Sequence, residues 1–245
     1  LASDDERARG TASGRPSGRS SLSDYRDTWL VIPLYNEASV IRDVLEHAGQ
    51  VFPNIVCVDD DSSDASASIA AEAGAVVLRH PINLGQGAAL QTGFDYVLQD
   101  PGMRYAVTFD SDGQHRIEDA RAMVDRLRSE PLDVVLGSRF LDARTRPGRL
   151  KRAVLRMAIW FTNMTSRVKL TDAHNGLRAF TRPALEVIEI RQNRMAHASE
   201  IVALIGRHRL RYAEEPVHII YTDYSRSKGQ SLWNSVNILV ELFFK

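Results

Sequence analysis

Short apolar runs alternate with segments of helical periodicity over about the first 140 residues of this 245-residue chain. Residues 29–33 form an apolar run closed by a proline, which is typical of a buried strand. Residues 37–50 carry apolar side chains three and four positions apart, as on one face of a helix. The same reasoning predicts further strands at 54–58, 75–78, 105–109 and 133–136, and helices at 64–73, 88–98 and 117–128. This order predicts an α/β fold, a single doubly wound, mostly parallel sheet with flanking helices.

Beyond residue 140 the regular alternation stops. The pattern there predicts a long helix at 149–169, a strand at 177–180, a helix at 199–208, a strand at 217–221 and a last helix at 232–244. Residues 1–24 lack an apolar core and are rich in small and charged residues, which predicts a disordered tail and not a signal peptide. No segment reaches the roughly 18 apolar residues of a membrane span. We therefore expect a tail at 1–24, one globular domain at 25–222, and a loop followed by an amphipathic helix at 223–245.

Composition changes this picture little. The chain is 44% hydrophobic and 25% charged, and its formal net charge is zero. These values are ordinary for a globular protein. A net charge of zero says nothing by itself about a nucleic-acid partner, and we expect none. The single cysteine, Cys57, lies in an apolar run and is interpreted as a small buried hydrophobic residue. It cannot form an intrachain disulfide, which fits a reducing compartment.

Acidic residues are concentrated where two predicted strands end. Asp59, Asp60 and Asp61 follow the second strand, and Asp110 and Asp112 follow the fourth. The carboxyl ends of parallel strands form the ligand-binding edge of such a sheet, so these carboxylates are expected to meet there. They repel one another unless a cation or a donor-rich ligand joins them. The Asp-x-Asp pair suits a hard divalent cation that also binds phosphate oxygens and neutralises a departing diphosphate.

Four motifs, in this order, resemble those of inverting family 2 glycosyltransferases, and most closely those of polyprenyl-phosphate or dolichol-phosphate sugar synthases. They are Val31-Ile32-Pro33-Leu34-Tyr35-Asn36-Glu37, Val58-Asp59-Asp60-Asp61-Ser62-Ser63-Asp64, Asn83-Leu84-Gly85-Gln86-Gly87 and Asp110-Ser111-Asp112-Gly113-Gln114-His115, followed by Gly137-Ser138-Arg139. The resemblance covers about residues 28–222. It implies a GT-A fold, a nucleotide-sugar donor and transfer with inversion.

The resemblance also implies roles for individual residues. Those expected to border the nucleotide are Pro33, Tyr35, Glu37, Asp59, Asp60, Gly87 and Ser111. Asp110 and Asp112, with Gln114, are expected to hold Mg²⁺ or Mn²⁺. The residues expected to contact phosphate, the transferred sugar or the acceptor are Arg139, Arg178, Arg226 and Lys228. The last two belong to residues 224–230, which resemble the mobile loop that closes over the donor diphosphate in this family.

Two positions depart from the family pattern. Asp61 stands where glycine is usual, and Gln86 where lysine is frequent. Residues 83–87 lack the Lys-Ser/Thr ending of a Walker motif, so their glycines either permit a tight turn or contact the donor. Asp64 is interpreted as a helix cap.

The choice of acceptor depends on proton transfer. A phosphate acceptor is ionised near neutral pH and needs no general base, whereas a sugar hydroxyl does. The candidate bases are Asp172, His197 and Glu200, and none belongs to a motif as firm as the Asp110–Asp112 pair. This favours a lipid phosphate acceptor.

A basic segment supports the same preference. Between Asp142 and Asp172 it contains no acidic residue, and its basic residues are Arg144, Arg146, Arg149, Lys151, Arg152, Arg156, Arg167 and Lys169. Together with Trp160 and Phe161, it fits either a solvated helix face packed on the core or a helix lying on an anionic membrane surface.

The sequence thus predicts transfer from a UDP- or GDP-sugar to a polyprenyl phosphate at the cytoplasmic face of the cell membrane. The protein is expected to be peripheral to that membrane, with a membrane-spanning partner as a further expectation. The alternatives are a saccharide hydroxyl acceptor, a nucleotidyltransferase, and a non-catalytic nucleotide-sugar-binding protein. A nucleotidyltransferase is disfavoured because residues 33–37 are not a glycine-rich loop with a lysine.

Overall fold

A computed structural model of the protein describes residues 22–141, 168–172 and 175–220. Three expectations fall outside these ranges. They are the helix at 149–169, except for its last two residues, the helix at 232–244, and the loop residues Arg226 and Lys228. The helices are a 3₁₀ helix Leu22–Tyr25, α1 Ile41–Gly49, α2 Ser66–Glu72, α3 Gln86–Val97, α4 Ile117–Ser129, α5 Arg182–Val187 and α6 His197–His208. The strands are β1 Thr28–Leu34, β2 Asn54–Asp59, β3 Val76–Arg79, β4 Tyr105–Thr108, β5 Val134–Ser138, β6 Arg178–Thr181 and β7 Tyr212–Pro216.

The seven strands form one sheet in the order β3-β2-β1-β4-β6-β5-β7. β1 pairs in parallel with β2 and β4, and β5 pairs in parallel with β7. β6 is antiparallel to both of its neighbours, β4 and β5. The strand order reverses between β1 and β4, which is the point where open α/β sheets place a ligand crevice. The prediction of a mostly parallel α/β sheet is confirmed.

Alternation along the strands divides the core between the two faces of the sheet. On β1, Leu30 and Ile32 belong to a buried cluster with α1, α2 and α4. Val31 lies in the other cluster, which includes Phe94 of α3 and Ile201 of α6. The helices therefore cover both faces, and the carboxyl edge of the sheet is left for loops.

Two elements differ from the sequence prediction. Among the described residues the last strand is Tyr212–Pro216, and residues 217–220 are not part of the strand expected at 217–221. The short helix Arg182–Val187 was not predicted. β7 is an edge strand and carries two glutamates, so it lacks the apolar run that identifies a buried strand. Val217 is buried just beyond it. Within the described ranges, the helices are too short or too polar to cross a bilayer.

Candidate active site

A cavity of about 420 Å³ lies at the switch point between β1 and β4. Its lining comes from the ends of β1, β2 and β4 and from the start of α3: Pro33, Leu34, Tyr35, Glu37, Asp60, Asn83, Gly85, Gln86, Ala89, Asp110, Ser111 and Asp112. Seven residues that the sequence analysis selected are therefore brought to one cavity. Asp59 and Gly87 are not part of its lining.

The loops that follow β1 and β2 are joined by side chains. The Asn36 N–H donates to Ser62 Oγ at 2.9 Å, and Asn36 Oδ1 accepts from the Ser63 N–H at 2.9 Å. Asp64 accepts from the Ala38 N–H at 3.2 Å and from the Ser66 N–H at 2.9 Å. Ala65 and not Asp64 is the N-cap residue of α2, so the cap interpretation is corrected: Asp64 precedes the cap and joins the loop to the first N–H of the helix.

Asp61 lies in the loop after β2. Its φ angle is +64°, in the left-handed region that glycine adopts without steric cost. Aspartate tolerates this region better than most residues. The backbone conformation therefore explains both why glycine is usual here and why aspartate is accepted.

Asp59 and Asp60 are both buried, but their carboxylates have different partners. Asp59 Oδ2 accepts from Arg79 Nε at 3.0 Å, and no hydrogen-bond donor among the described residues reaches its Oδ1. Asp60 accepts from the N–H groups of Leu84 and Gly85 at 2.9 and 2.7 Å. Asp60 therefore holds the turn that precedes α3.

The glycines of that turn allow a close approach between segments. Gly85 has a φ angle of +100°. A Cβ on Gly87 would lie 2.0 Å from the carbonyl oxygen of Gln192, and the Gly87 N–H donates to the carbonyl oxygen of Asn193 at 2.8 Å. Several N–H groups that a phosphate-binding loop would offer are thus already engaged. This geometry favours the tight-turn interpretation of residues 83–87.

Asp110 receives donors from two sides of the cavity. His115 Nε2 lies 2.8 Å from Asp110 Oδ2, and Gln86 Nε2 donates to Asp110 Oδ1 at 3.2 Å. A Cβ on Gly176 would lie 2.3 Å from Asp110 Oδ2, so only glycine fits there. Burial alone would raise the pKa of Asp110, but the hydrogen bond from His115 and the charges of His115 and Arg178 lower it overall.

Asp112 has the opposite electrostatic character. Burial and the neighbouring charges of Asp110 and Glu37 raise the pKa of Asp112, against a hydrogen bond from the Gln114 N–H at 3.0 Å. Crowded carboxylates of this kind are relieved by a bound cation, so these residues fit a divalent metal ion. The described part of the chain contains no group of three or more His, Cys, Asp or Glu side chains arranged for a metal ion. A divalent ion held by these two carboxylates keeps coordination positions that phosphate oxygens and water can fill.

A second cavity, of about 170 Å³, adjoins the first and shares Gln86, Asp110 and Asp112 with it. The other lining residues are Gln114, His115, Arg139, Asn175, Gly176, Arg178, Met195, His197, Ala198 and Ile219. Arg178 is 2% exposed, and burial lowers its pKa to about 10, although Asp110 and Asp172 act against this shift. The guanidinium is thus still charged at neutral pH.

Arg139 and Asp172 form a forked ion pair. Asp172 accepts from the Arg139 N–H, Nε and Nη2 at 3.1, 2.6 and 2.9 Å. The Asp172 N–H in turn donates to Glu214 Oε1 at 3.1 Å. Both oxygens of Asp172 are committed to the guanidinium, so this side chain orients Arg139 and is poorly suited to remove a proton.

The other two candidate bases have different surroundings. Glu200 accepts from the N–H groups of Arg191 and Gln192 at 3.0 and 2.8 Å, which makes it a loop anchor. His197 Nδ1 lies 2.7 Å from the carbonyl oxygen of Arg194 and must be its donor. In the neutral ring the basic atom is then Nε2, and the ring lines the second cavity.

A sequence model described as glycosyl transferase family 2 matches residues 29–188. The chain belongs to glycosyl transferase family 2. This glycosyltransferase is 33% identical over 229 residues to an uncharacterized protein of Methanocaldococcus jannaschii, a match that covers 89% of this chain and 92% of the relative. It is 29% identical to the UDP-N-acetylglucosamine–dolichyl-phosphate N-acetylglucosaminyltransferase of Methanococcus voltae, with 87% and 94% of the two chains covered.

The fold of the glycosyltransferase is similar to that of glucosyl-3-phosphoglycerate synthase from Mycobacterium tuberculosis, solved with Mn²⁺ and UDP-glucose. The TM-score is 0.66 at 18% identity, and the match covers 94% of this chain and 83% of that chain. The expected family and the GT-A fold are both confirmed.

Sequence reasoning missed several residues of the second cavity in this glycosyltransferase. Gly176, Met195 and Ile219 carry no motif of their own. Only Gly176 could have been found from the sequence, because it lies directly before the strand predicted at 177–180. The other two are brought to the site by chain segments that the pattern did not place near it.

Proposed function

We propose that this glycosyltransferase moves a sugar, with inversion, from a UDP- or GDP-sugar to a polyprenyl phosphate. The observation that carries the proposal is the meeting of two cavities at Asp110 and Asp112. The larger one is lined by carboxylates and loop residues, and the smaller one by two arginines. This arrangement suits a donor on one side of the reacting centre and an anionic acceptor on the other.

Where the two cavities meet, Asp110 and Asp112, with Gln114 from the second cavity, would hold Mg²⁺ or Mn²⁺. When bound, the ion supplies Lewis-acid stabilisation of the departing diphosphate. The mycobacterial synthase binds Mn²⁺ together with UDP-glucose, which supports this assignment. His115 and Gln86 keep the Asp110 carboxylate oriented toward the cavity.

The nucleoside is proposed to lie between the ends of β1 and β2. Tyr35 is 49% exposed at the cavity mouth and offers a ring face, whereas Glu37 is buried below it. Asp59 is buried and does not line this cavity, so the geometry gives no support to its expected contact with the base or ribose. Ser111 completes this wall.

The acceptor phosphate is proposed to bind in the second cavity, where buried Asp172 orients Arg139 and the charges of Asp110 and Asp172 act on buried Arg178. Arginine forks suit phosphate oxygens, and an ionised phosphate attacks without a general base. Asp172 binds the guanidinium of Arg139, and Glu200 binds the N–H groups of Arg191 and Gln192. Both carboxylates are therefore poorly suited to act as a general base, which supports an acceptor that needs none. The relatives include the dolichyl-phosphate transferase of Methanococcus voltae and an undecaprenyl-phosphate 4-deoxy-4-formamido-L-arabinose transferase of Salmonella paratyphi B.

Because a polyprenyl phosphate resides in a membrane, we further propose that the protein acts at the cytoplasmic surface of the cell membrane. Peripheral attachment, assisted by a membrane-spanning partner, is part of this proposal. The basic segment between Asp142 and Asp172 would contribute to membrane attachment, and the expected loop residues Arg226 and Lys228 would contribute to phosphate binding.

One observation favours a second candidate, transfer to a saccharide hydroxyl. The bond from His197 Nδ1 to the Arg194 carbonyl makes Nε2 the basic atom of the neutral ring, as a general base would require. The two candidates differ in whether His197 is essential for transfer.

The test is incubation with a panel of UDP- and GDP-sugars and Mn²⁺ or Mg²⁺, with and without a short polyprenyl phosphate, read by mass spectrometry. A new polyprenyl-phospho-sugar that disappears with chelator supports the proposal. Donor hydrolysis without glycolipid would instead support the hydroxyl acceptor, and His197→Ala would then abolish transfer to it. Full activity in the presence of chelator would disprove the metal assignment.

A further inference from the structure

Two neighbouring glutamates of β7 bind different parts of the molecule. Successive side chains of a strand point to opposite faces of the sheet. Glu215 Oε2 accepts from Arg126 Nη1 of α4 at 3.0 Å. Glu214 Oε1 accepts instead from the N–H groups of Thr171 and Asp172 at 2.8 and 3.1 Å, and from Thr171 Oγ1 at 2.9 Å. Burial raises the pKa of Glu214, although the hydrogen bonds from Thr171 and Asp172 act against this rise.

The segment 168–172 is held on β7 by side chains. Its two apolar side chains are buried. The Lys169 N–H donates to the Tyr212 hydroxyl oxygen at 2.9 Å. Tyr212 and Glu214 are two residues apart on the strand, so their side chains share one face of the sheet. The segment therefore receives its acceptors from this one face of β7, and Glu214 provides those nearest to Asp172.

The Thr171 hydroxyl connects Glu214 with both neighbours of Arg139. An ionised carboxylate can only accept, so Thr171 Oγ1 donates its proton to Glu214. Ser138 Oγ lies 2.6 Å from Thr171 Oγ1 and must then be the donor of that pair. Ser138 Oγ in turn accepts from the Phe140 N–H at 3.3 Å. The donors therefore all point toward the carboxylate, and hydrogen bonds in such a chain strengthen one another.

A second connection to Arg139 passes through Asp172. The Asp172 N–H is bound by Glu214, and the Asp172 carboxylate accepts from Arg139 Nε and Nη2 at 2.6 and 2.9 Å. Arg139 lines the second cavity, whereas Glu214 is not among its lining residues. Glu214 can therefore act on the guanidinium only through Thr171 and Asp172.

We propose that Glu214 is a positioning residue for Arg139: it holds Thr171 and Asp172 so that the guanidinium faces an anionic acceptor in the second cavity. The identity of that acceptor rests on the proposed function. The positioning does not, because it is measurable without a ligand. Removal of the Glu214 carboxylate takes away the acceptor that two N–H groups and a hydroxyl share, and such a loss is costly in a half-buried site.

The first measurement is the exchange of the Arg139 Nε proton with solvent, by nuclear magnetic resonance on the full chain labelled with ¹⁵N-arginine. Arg139→Lys identifies the signal by its disappearance. For Glu214→Ala we expect exchange to be about tenfold faster or more, because both connections are broken. Thr171→Val removes only the hydroxyl connection, so we expect exchange about threefold faster.

Glu214→Gln tests whether the acceptor or the charge is needed. The amide oxygen at the Oε1 position still accepts from all three donors, and only the second contact of the Thr171 N–H, to Oε2 at 3.0 Å, is lost. Exchange of the Arg139 Nε proton should therefore stay within about threefold of the wild type. Glu215→Ala is the matched control, since it removes the same side chain from the next position and breaks the pair with Arg126 on the other face. It should leave the Arg139 signal unchanged.

The second measurement is steady-state transfer to a short polyprenyl phosphate, with Mn²⁺ and the nucleotide sugar that the wild type uses. We expect Glu214→Ala to raise the KM for the polyprenyl phosphate about tenfold, because the arginine fork is displaced. The KM for the nucleotide sugar should not change, since Arg139 is not among the residues that line the first cavity. Glu214→Gln should restore the acceptor KM to within about threefold of the wild type, and Glu215→Ala should leave both values unchanged.

Each outcome bears on the proposal. Wild-type exchange of the Arg139 Nε proton in Glu214→Ala would overturn the positioning role, and Thr171→Val decides this if Glu214→Ala does not fold. Faster exchange with an unchanged acceptor KM, or an equal rise in both KM values, would overturn the role in acceptor binding. If the wild-type chain transferred no sugar to the polyprenyl phosphate, the proposed acceptor would fail, while the exchange data still decided whether Glu214 positions Arg139.

Discussion

The two ends of β5 carry the same hydrogen-bond pattern in different surroundings. After the strand, Asp172 accepts from the N–H, Nε and Nη2 of Arg139. Before the strand, Asp133 accepts from the same three groups of Arg211 at 2.7, 3.0 and 2.8 Å. The Arg139 and Asp172 side chains are 23% and 1% exposed, whereas those of Arg211 and Asp133 are 61% and 20% exposed.

The geometry of the two ion pairs is the same, so the role of each pair depends on the edge of the sheet at which it lies. At the amino edge the pair fastens β7 to β5 and faces water, so it contributes little beyond local order. At the carboxyl edge the same fork points a guanidinium into a cavity that also contains Arg178 and Asp110. Substitutions at the carboxyl edge should therefore impair transfer, and matched substitutions at the amino edge should affect only stability.

The largest effect is expected for Asp110→Asn. Loss of the charge that would face the proposed metal ion and diphosphate should lower the rate of sugar transfer by on the order of a thousandfold. Asp100→Asn is the amino-edge control, since Asp100 accepts from Trp29 Nε1 at 2.8 Å and lies far from both cavities. Steady-state transfer rates and far-ultraviolet circular dichroism would be measured for both. A loss of activity in the control of similar size would contradict the division between the edges.

A smaller effect is expected for Arg178→Lys. Lysine keeps the charge but cannot form the planar fork, so kcat/KM for the acceptor should fall about a hundredfold. Arg182→Lys is the control, because Arg182 donates to the carbonyl oxygens of Leu98 and Asp100 near the amino edge. Its acceptor KM should stay at the wild-type value even if the melting temperature drops. An unchanged acceptor KM in Arg178→Lys would remove Arg178 from the acceptor site.

The two ends of β5 are compared directly by Asp172→Asn and Asp133→Asn. Asp172→Asn keeps one acceptor for Arg139, so kcat/KM should fall about tenfold, and the pH profile of kcat should keep its shape because Asp172 is not a base. If the fall of kcat at low pH disappeared in Asp172→Asn, Asp172 would again be a candidate base.

Asp133→Asn should leave transfer unchanged and alter the pH dependence of stability. The hydrogen bond from Arg211 lowers the pKa of Asp133 in the folded chain. The wild type therefore gains stability above the ordinary carboxyl pKa of about 4 and loses it as the pH falls through the lower, folded value. Urea midpoints of the two proteins should differ at pH 7 and converge in acid. Parallel curves would show that Asp133 contributes through packing alone.

The smallest effect is expected at Asp61. Alanine tolerates a φ angle of +64° less well than aspartate or glycine, so Asp61→Ala should cost about 1 kcal/mol in the free energy of unfolding. Asp61→Gly should stay within about 0.5 kcal/mol of the wild type, because relief of strain is offset by the greater freedom of the unfolded chain. Urea unfolding with a common m value would measure both.

The sequence predicted the first half of the sheet well because β1, β2 and β4 are buried apolar runs that end in polar loops. The residues after them, such as Glu37 and Asp110, therefore reached the same cavity as expected. The location of Asp60 at the carboxyl edge of the sheet was predicted, but its hydrogen-bond partners were not. The hydrogen bonds to Leu84, Gly85 and His80 depend on how far apart the loops lie. No local pattern encodes that distance.

The second half was predicted less well for a different reason. β7 is an edge strand with two glutamates, one of which binds the N–H groups of Thr171 and Asp172. Its polarity hides it from a search for buried strands. The ion pair between Arg139 and Asp172 joins residues 33 positions apart, and nothing in either local sequence specifies it.

The reversed direction of β6 has a consequence for the evolution of this protein. β5 ends and β6 begins at the same edge of the sheet, with Leu136 beside Arg178, so the chain between them leaves and returns at points about one strand spacing, roughly 4.8 Å, apart. The entropic cost of closing a loop whose ends are this close grows only slowly as residues are added to the loop. Insertions between Arg139 and Arg178 can therefore be accommodated without shifting any strand that supports Asp110 or Asp112. We expect descendants of one ancestral scaffold to vary in length there first, and so to change their acceptors while they keep their donors.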